Sequence, residues 1–225
     1  MQQGTLSLIF FVIELVILII VIIFNRDHPF FWSIVGLVGL LQLYQLSEWL
    51  ICIGVNENVT GRIAYVIITF LPPLGYFLCT RIVGWKFPDY WIGFAAATAF
   101  SLYYLISPNS VELVDCNPLY AIYNYDLSLY YGIYYIGILV YSILFLVAHM
   151  IWRREKIERK LSILLLIGYL SFLAPMYLMI LIDYSFINTV TSIMCKYALL
   201  LAVTLGIFSF VKPKKTEIIE NKKNE

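Results

Sequence analysis

The chain has 225 residues, of which 62% are hydrophobic and only 13% are charged, and its formal net charge is +1. A soluble domain has roughly 25% charged residues, so this composition excludes most water-soluble classes and predicts an integral membrane protein. The small net charge carries little information by itself, because the positions of the charges along the chain matter more than their sum.

Seven apolar stretches follow one another, and each is close to the ~20 residues that a helix needs to cross a bilayer. They predict an all-α fold, a polytopic membrane helix bundle with seven transmembrane helices within residues 1–211. Residues 212–225 are predicted to form a short charged tail, and neither this tail nor any loop is long enough to bury its own core. The predicted helices span residues 5–24, 30–54, 61–83, 88–107, 128–151, 161–182 and 187–211.

The basic residues predict the orientation of the bundle. Thirteen of the fifteen lysines and arginines lie in or beside the first, third and fifth loops and in the tail, whereas Arg62 stands alone on the other side. Because cytoplasmic loops are enriched in basic residues, the N-terminus is predicted to lie outside and the tail in the cytoplasm. The basic fifth loop and tail are expected to attract anionic membrane lipid and not nucleic acid. A cytoplasmic protein partner could also dock there. Lys196, inside the seventh predicted helix, is the cation that this rule does not explain.

The second predicted helix has a polar face. Gln42, Gln45 and Glu48 recur every third residue, which at 100° per residue confines them to about a third of the helix circumference. A carboxylate in hydrocarbon costs several kcal/mol, so this face is predicted to look into protein, with Glu48 protonated, hydrogen-bonded or paired with a cation.

Lys196 and Ser192 lie on a polar face of the seventh predicted helix. At 1.5 Å per residue, Lys196 and Glu48 have similar depths on the outer side of the membrane, and Glu14 in the first helix could reach the same layer. We therefore predict a polar core of helices 1, 2 and 7. Three interpretations stay open: structural packing, a lysine that extends to the outer headgroups, or a site for a ligand, proton or ion. The predicted core residues are Glu14, Gln42, Gln45, Glu48, Ser192 and Lys196.

Prolines interrupt two of the predicted helices. Pro72 and Pro73 lie near the middle of the third helix, with Gly75 close behind, and Pro175 lies in the sixth. A proline frees a carbonyl that another group must satisfy, so the third helix is predicted to be bent or broken.

The fourth loop, residues 108–127, is predicted to form an acidic, tyrosine-rich lid on the outer side. Its carboxylates lack the spacing of a calcium loop, so no metal is predicted. The tyrosines favour an interfacial belt combined with loop packing, and the alternative is an aromatic vestibule for an apolar or cationic ligand. They are Tyr120, Tyr123, Tyr125, Tyr130, Tyr131, Tyr134 and Tyr135.

The cysteines leave three possibilities open. Cys52, Cys116 and Cys195 are all predicted near the outer side, where disulfides are chemically allowed. Cys116 could pair with Cys52 or with Cys195, and the sequence does not choose between them. Free buried thiols, which behave as small hydrophobic groups, are the interpretation that we favour.

Two short motifs resemble an uncharacterised class of small prokaryotic seven-helix membrane proteins. They are Gln45-Leu46-Ser47-Glu48 in the second helix and Ser192-Ile193-Met194-Cys195 at the start of the last. The resemblance covers helices 2 to 7 and implies a multi-pass protein of a prokaryotic cell membrane, but no reaction.

The chain also resembles the retinal-binding rhodopsins in its seven helices, its outside N-terminus, its proline in the sixth helix and Lys196 in the last. That resemblance implies a Schiff base on Lys196 with Glu48 or Glu14 as the counterion. The sequence departs from the pattern because the third helix lacks a carboxylate, and Ser192 stands where an aspartate is expected.

Motifs for hydrolysis, metal binding and phosphate binding are absent from the sequence, so we expect no enzyme activity, no metal and no cofactor. By elimination, the predicted function is that of a non-enzymatic sensor, receptor-like or small-ligand-binding bundle. The first alternative is a proton- or ion-coupled small transporter that uses Glu48 and Lys196, and the second is a retinal-binding protein.

Overall fold

The structure is a computed structural model that describes residues 4–85, 87–117, 121–152, 156–182 and 190–211. The described residues form an all-α bundle with one two-stranded sheet. Since α3 and α4 are separated by one residue and form one bent helix, the described part has seven helices, one for each apolar stretch. The elements are α1 (Thr5–Phe24), α2 (Phe31–Cys52), α3 (Glu57–Thr69), α4 (Leu71–Val83), α5 (Tyr90–Ile106), β1 (Val111–Cys116), β2 (Ala121–Tyr125), α6 (Ser128–Trp152), α7 (Lys156–Ile182) and α8 (Val190–Ser209).

The bend between α3 and α4 comes from the proline pair. Pro72 and Pro73 lie in the first turn of α4, where a missing N–H costs least. The carbonyl of Thr69, which would otherwise accept from the N–H of residue 73, instead accepts a hydrogen bond from the Tyr134 hydroxyl at 2.7 Å. The third predicted helix is therefore interrupted at Phe70, next to the proline pair, and it begins at Glu57 and not at residue 61. Pro175, by contrast, lies inside the continuous helix α7.

Four helices of the described part are long and apolar enough to cross a membrane. They are Thr5–Phe24, Phe31–Cys52, the bent helix Glu57–Val83, and Ser128–Ile151. Two more, Tyr90–Ile106 and Ile193–Ser209, are apolar but shorter.

Large hydrophobic side chains cover much of the bundle surface. Ile23, Ile92 and Ile133 are each at least 65% exposed, and Trp32 is 80% exposed. Soluble monomers rarely leave contiguous apolar surface of this kind in contact with water. This surface suits contact with lipid chains.

The first, second and last helices pack against one another. Helix α1 contacts both α2 and α8, and α2 also contacts α8 directly. At the far end of α1, the side chains of Asn25 and Ser209 are hydrogen-bonded at 2.9 Å. The three helices for which a polar core was predicted are therefore mutual neighbours.

Most of the fourth loop folds as a β-hairpin. Strands β1 and β2 are antiparallel, with Val111 opposite Tyr125 and Cys116 opposite Ala121, and β1 packs against α3. Five of the eleven strand residues, Val111, Val114, Ile122, Tyr123 and Tyr125, are aromatic or β-branched, types that suit a half-buried sheet. A lid was predicted from the sequence, but its regular hydrogen-bonded form was not.

Candidate functional site: a buried lysine cluster beneath a tethered hairpin

Polar side chains of α1 and α2 surround the ammonium group of Lys196 on α8. Nζ of Lys196 donates to Oε1 of Glu48 at 2.7 Å, to Oγ of Ser7 at 2.6 Å and to Oε1 of Gln45 at 3.2 Å. An ammonium has three N–H donors, so these acceptors match its full hydrogen-bonding capacity. We refer to Ser7, Gln45, Glu48 and Lys196 as the lysine cluster.

Further hydrogen bonds hold the cluster in place. The Ser7 hydroxyl also donates to Oε1 of Glu48 at 3.2 Å, and Nε2 of Gln45 donates to the backbone carbonyl of Cys195 at 2.5 Å. The Gln45 amide therefore donates to α8 through its nitrogen and accepts from α8 through its oxygen. This double contact fixes the orientation of the amide and joins α2 to α8.

The ion pair of the cluster is almost completely buried. The side chain of Lys196 is 10% exposed and that of Glu48 is 1% exposed. Removing two charges from water costs several kcal/mol per ion, and their attraction offsets this cost only when further hydrogen bonds complete the geometry. Ser7 and Gln45 provide those bonds, so the structure does not support a lysine that extends to the outer headgroups.

Ser7 is a member of the cluster that was not predicted from the sequence. The described buried residues of α1 are Ser7, Glu14 and Val21, which recur every seventh residue. Seven residues are close to two helical turns, so these side chains share one face. The spacing between Ser7 and Glu14 was the signal that could have revealed it.

Glu14 lies near the cluster without bonding to it. Its side chain is fully buried, and neither carboxyl oxygen has a hydrogen-bond partner among the described residues. It is seven residues beyond Ser7 on the same face, or about 10 Å deeper along α1 at 1.5 Å per residue. Lys196 is within electrostatic range of it.

The outcome differs for the other two predicted core residues, Gln42 and Ser192. Gln42 is buried on α2, 7% exposed, and no described hydrogen bond connects it to Lys196. Ser192 lies in the first turn of α8, but its side chain falls outside the described residues.

The hairpin lies close to the lysine cluster through Tyr123 on β2. This side chain is 2% exposed. Burial raises the pKa of the Tyr123 phenol well above its ordinary value, and the nearby Glu48 carboxylate and Cys195 thiol raise this pKa further. The phenol is therefore neutral and within electrostatic range of Glu48, so the hairpin is a neighbour of the cluster.

A disulfide joins Cys52 at the end of α2 to Cys116 at the end of β1, with the two Cα atoms 5.7 Å apart. Our preference for free thiols was wrong for these two residues. It depended on the usual behaviour of buried cysteines, and sequence alone could not show that folding of the loop brings Cys116 against α2. Cys79 and Cys195 are free and buried. The disulfide ties the hairpin to α2 one helical turn beyond Glu48.

The tyrosines around the hairpin form a packed cluster. The rings of Tyr65, Tyr104, Tyr123, Tyr125 and Tyr131 contact one another with centroids 4.8–5.9 Å apart. Such pairs add about 0.5–1.5 kcal/mol each beyond the area that they bury. This arrangement matches the loop-packing interpretation. Two of the predicted tyrosines are not part of it: Tyr130 is 65% exposed, and Tyr120 lies outside the described residues.

A small apolar cavity lies deeper in the bundle, among residues of α2, α4, α6, α7 and α8. Leu37, Tyr135, Tyr169 and Phe172 are among the side chains that line it, and the lysine cluster does not. The cavity and the cluster are therefore separate features.

The cluster offers charge and hydrogen bonding at a buried position. In the described part of the chain, no three histidine, cysteine, aspartate or glutamate residues are grouped as metal ligands. Comparisons with known proteins add no candidate, since the chain matches no protein-family model and no curated protein is significantly similar to it.

Proposed function

We propose that the chain crosses a prokaryotic cell membrane seven times, with its N-terminus outside and its tail in the cytoplasm. Four helices with the length and composition of membrane spans, and the exposed apolar surface, support membrane insertion. The asymmetry of the lysines and arginines supports the orientation. A disulfide between Cys52 and Cys116 supports this orientation, because both residues would then lie outside the cytoplasm, where disulfides persist.

Within the membrane, we propose a non-enzymatic small-ligand-binding bundle of the sensor or receptor type, with the lysine cluster as its responsive part. The observation that carries this proposal is that one ammonium group on α8 holds both α1 and α2. A ligand that competes for Lys196 or Glu48 would break contacts among three helices at once. Binding would thereby favour a different packing of the bundle, which is what a sensor requires.

A signal would leave the protein on the cytoplasmic side. The basic fifth loop is the proposed docking place for a cytoplasmic protein partner or for anionic membrane lipid, and Arg159 and Lys160 near it are exposed. Its first residues, 153–155, lie outside the described part of the structure.

Native mass spectrometry tests ligand binding. The protein is extracted in nanodiscs directly from the membrane of the cells that express it, and is then released from the nanodiscs in the spectrometer. We expect a bound small molecule that is lost in the double variant Glu48→Gln/Lys196→Met, in which both charges of the ion pair are removed together. A wild-type protein of unmodified mass, or an adduct that the double variant retains, would reject the proposal.

Proton-coupled transport is a second candidate, which the buried carboxyl of Glu14 beneath the cluster favours. Two carboxyl groups at different depths, with a lysine within electrostatic range of both, are typical of proton relays in membrane proteins. Proton flux into liposomes that the Glu48→Gln variant abolishes would support this candidate, and equal flux in empty liposomes would reject it. The retinal alternative has no comparable observation in its favour, and an absorbance spectrum of the same purified protein tests it.

A further inference from the structure

Two buried carboxyl groups share one buried ammonium in this bundle. Glu48 is paired with Lys196, whereas Glu14 is fully buried and neither of its oxygens has a hydrogen-bond partner among the described residues. An ionised carboxylate in such a place costs several kcal/mol. Glu14 therefore holds a proton while Lys196 is at Glu48.

The surroundings of Glu14 contain few other charges. Helix α1 packs against α2 and α8. The titratable groups near Glu14 in the described residues are Lys196 and Cys195 on α8 and, beyond Lys196, Glu48 on α2. The thiol of Cys195 is neutral because it is buried, so Lys196 is the cation that can stabilise an ionised Glu14.

Lys196 contacts Glu48 and lies within electrostatic range of Glu14. Its ammonium ends a flexible four-carbon stem. Glu14 and Ser7 lie on the same face of α1, about 10 Å apart along the helix axis. In the structure the ammonium is at the outer position, beside Ser7 and Glu48. Side-chain rotation on α8 would move it towards the inner position.

We propose that Glu14 is a proton-binding site and that Lys196 alternates between two carboxylate partners, Glu48 on the outer side and Glu14 on the inner side. When a proton from the outer side binds the Glu48 carboxylate, Lys196 loses its anionic partner. Its ammonium then pairs with Glu14, whose carboxyl group gives up its own proton. One proton is bound, one is released, and the charge of the buried layer does not change.

This inference rests on the proposed role of the lysine cluster as the responsive part of the bundle, and it names the proton as a ligand of that cluster. The inference also predicts how many of the buried carboxyl groups around Lys196 are neutral. This number equals the number of buried carboxyl groups minus the number of buried ammonium groups, because each ammonium stabilises one carboxylate.

Infrared spectroscopy tests the proposal, since the C=O stretch of a neutral carboxylic acid is resolved from the bands of a carboxylate. Spectra are recorded at neutral pH on the full chain in nanodiscs, with the Glu14→Gln/Glu48→Gln variant as the baseline. We expect one neutral acid in the wild type, none in Glu14→Gln, none in Glu48→Gln and two in Lys196→Met.

The Glu48→Gln variant decides between a moving and a fixed lysine. If Lys196 moves to Glu14, the Glu14 acid band disappears, although Glu14 itself is unchanged. A Glu14 band of full intensity in Glu48→Gln would overturn the proposal, and so would the absence of a neutral acid band in the wild type. Neither result would affect ligand binding measured by native mass spectrometry. The proposal of proton binding at Glu14 and the proposal of a small-ligand-binding bundle can therefore fail separately.

A milder variant covers the case in which Glu48→Gln does not fold. Ser7→Ala removes one acceptor of Lys196 and one donor to Glu48, and so weakens the outer position without removing a charge. The number of neutral acids stays at one in Ser7→Ala, but we expect part of the Glu14 band intensity to move to the frequency of the Glu48 acid, which the Lys196→Met spectrum identifies, as the proton moves partly to Glu48. An undiminished Glu14 band in a folded Ser7→Ala protein would overturn the proposal, whatever Glu48→Gln does.

Discussion

The ammonium of Lys196 lies 2.7 Å from Oε1 of Glu48, although 148 residues separate them in the chain. Removing one partner of a buried ion pair leaves the other charge uncompensated, at a cost of about 3 kcal/mol. We expect Lys196→Met to lower the free energy of unfolding by about this amount, and Glu48→Gln to lower it by less, because Glu14 can then pair with Lys196. The double variant should lose clearly less than the sum of the two single losses.

Reversible unfolding in mixed detergent, followed by circular dichroism, measures these changes. Lys160→Met is the matched control, because Lys160 is exposed and its loss should change stability by less than about 0.5 kcal/mol. Fully additive losses in the double variant would show that the two residues do not stabilise each other.

The disulfide between Cys52 and Cys116 predicts an alkylation pattern. Two of the four cysteines, Cys79 and Cys195, should react with iodoacetamide after denaturation without reductant, and all four should react after reduction. Mass spectrometry counts the added groups. Four additions without reductant would contradict the disulfide.

Loss of the same disulfide should destabilise the hairpin. A crosslink that closes a loop of this length contributes roughly 2–4 kcal/mol, so Cys116→Ala is expected to lower the unfolding free energy within that range. Cys79→Ser is a useful comparison for a buried cysteine outside the disulfide. We expect proteolysis within residues 108–127 to become faster in Cys116→Ala and to be unchanged in the comparison variant.

Close packing between α4 and α7 predicts different results for two glycines. A Cβ atom at Gly75 would overlap the hydroxyl of Tyr169, whereas a Cβ at Gly39 on α2 would meet no atom within 4 Å. Gly75→Ala should therefore lower stability by about 1–3 kcal/mol through overpacking. Gly39→Ala should be neutral or stabilising by up to about 1 kcal/mol, because alanine favours the helix. Thermal unfolding of both variants tests this, and equal effects would count against the described contact.

The proposed orientation predicts the behaviour of reporter fusions. Green fluorescent protein fused after residue 225 should fluoresce, since it folds in the cytoplasm. Alkaline phosphatase fused within residues 108–127 should be active, since it needs an oxidising compartment. The reverse pattern would invert the topology and would place Cys52 and Cys116 on the reducing side.

The helices and the ion pair could be predicted from the sequence because each depends on a strong local pattern. A run of ~20 apolar residues is a helix signal, and the single ionisable groups within such runs must face protein. Counting residues from the helix centres gave Glu48 and Lys196 similar depths, and the structure places them in contact. The all-α fold is confirmed, while the membrane topology stays a prediction.

The place of Ser7 in the lysine cluster and the pairing of the disulfide could not be predicted from the sequence, for a different reason. A lone serine is common in membrane helices, and its role here depends on how α1 and α8 are rotated about their axes. The pairing of Cys52 with Cys116 depends on the hairpin register and on where the hairpin lies against α2, neither of which a single sequence shows. The strands themselves were missed because turn residues at Pro108, Asn109 and Pro118 break up their pattern.

The lysine cluster also has a consequence for biosynthesis. Its acceptors lie on the first two helices to be made, whereas its one cation arrives with α8, the last helix of the described chain. If the chain enters a membrane as proposed, Glu48 is a polar group in hydrocarbon with no ammonium beside it until α8 inserts. In that case a nascent bundle that lacks α8 would differ chemically from the finished molecule by one buried acid without its ammonium, a difference that quality control in the membrane could detect.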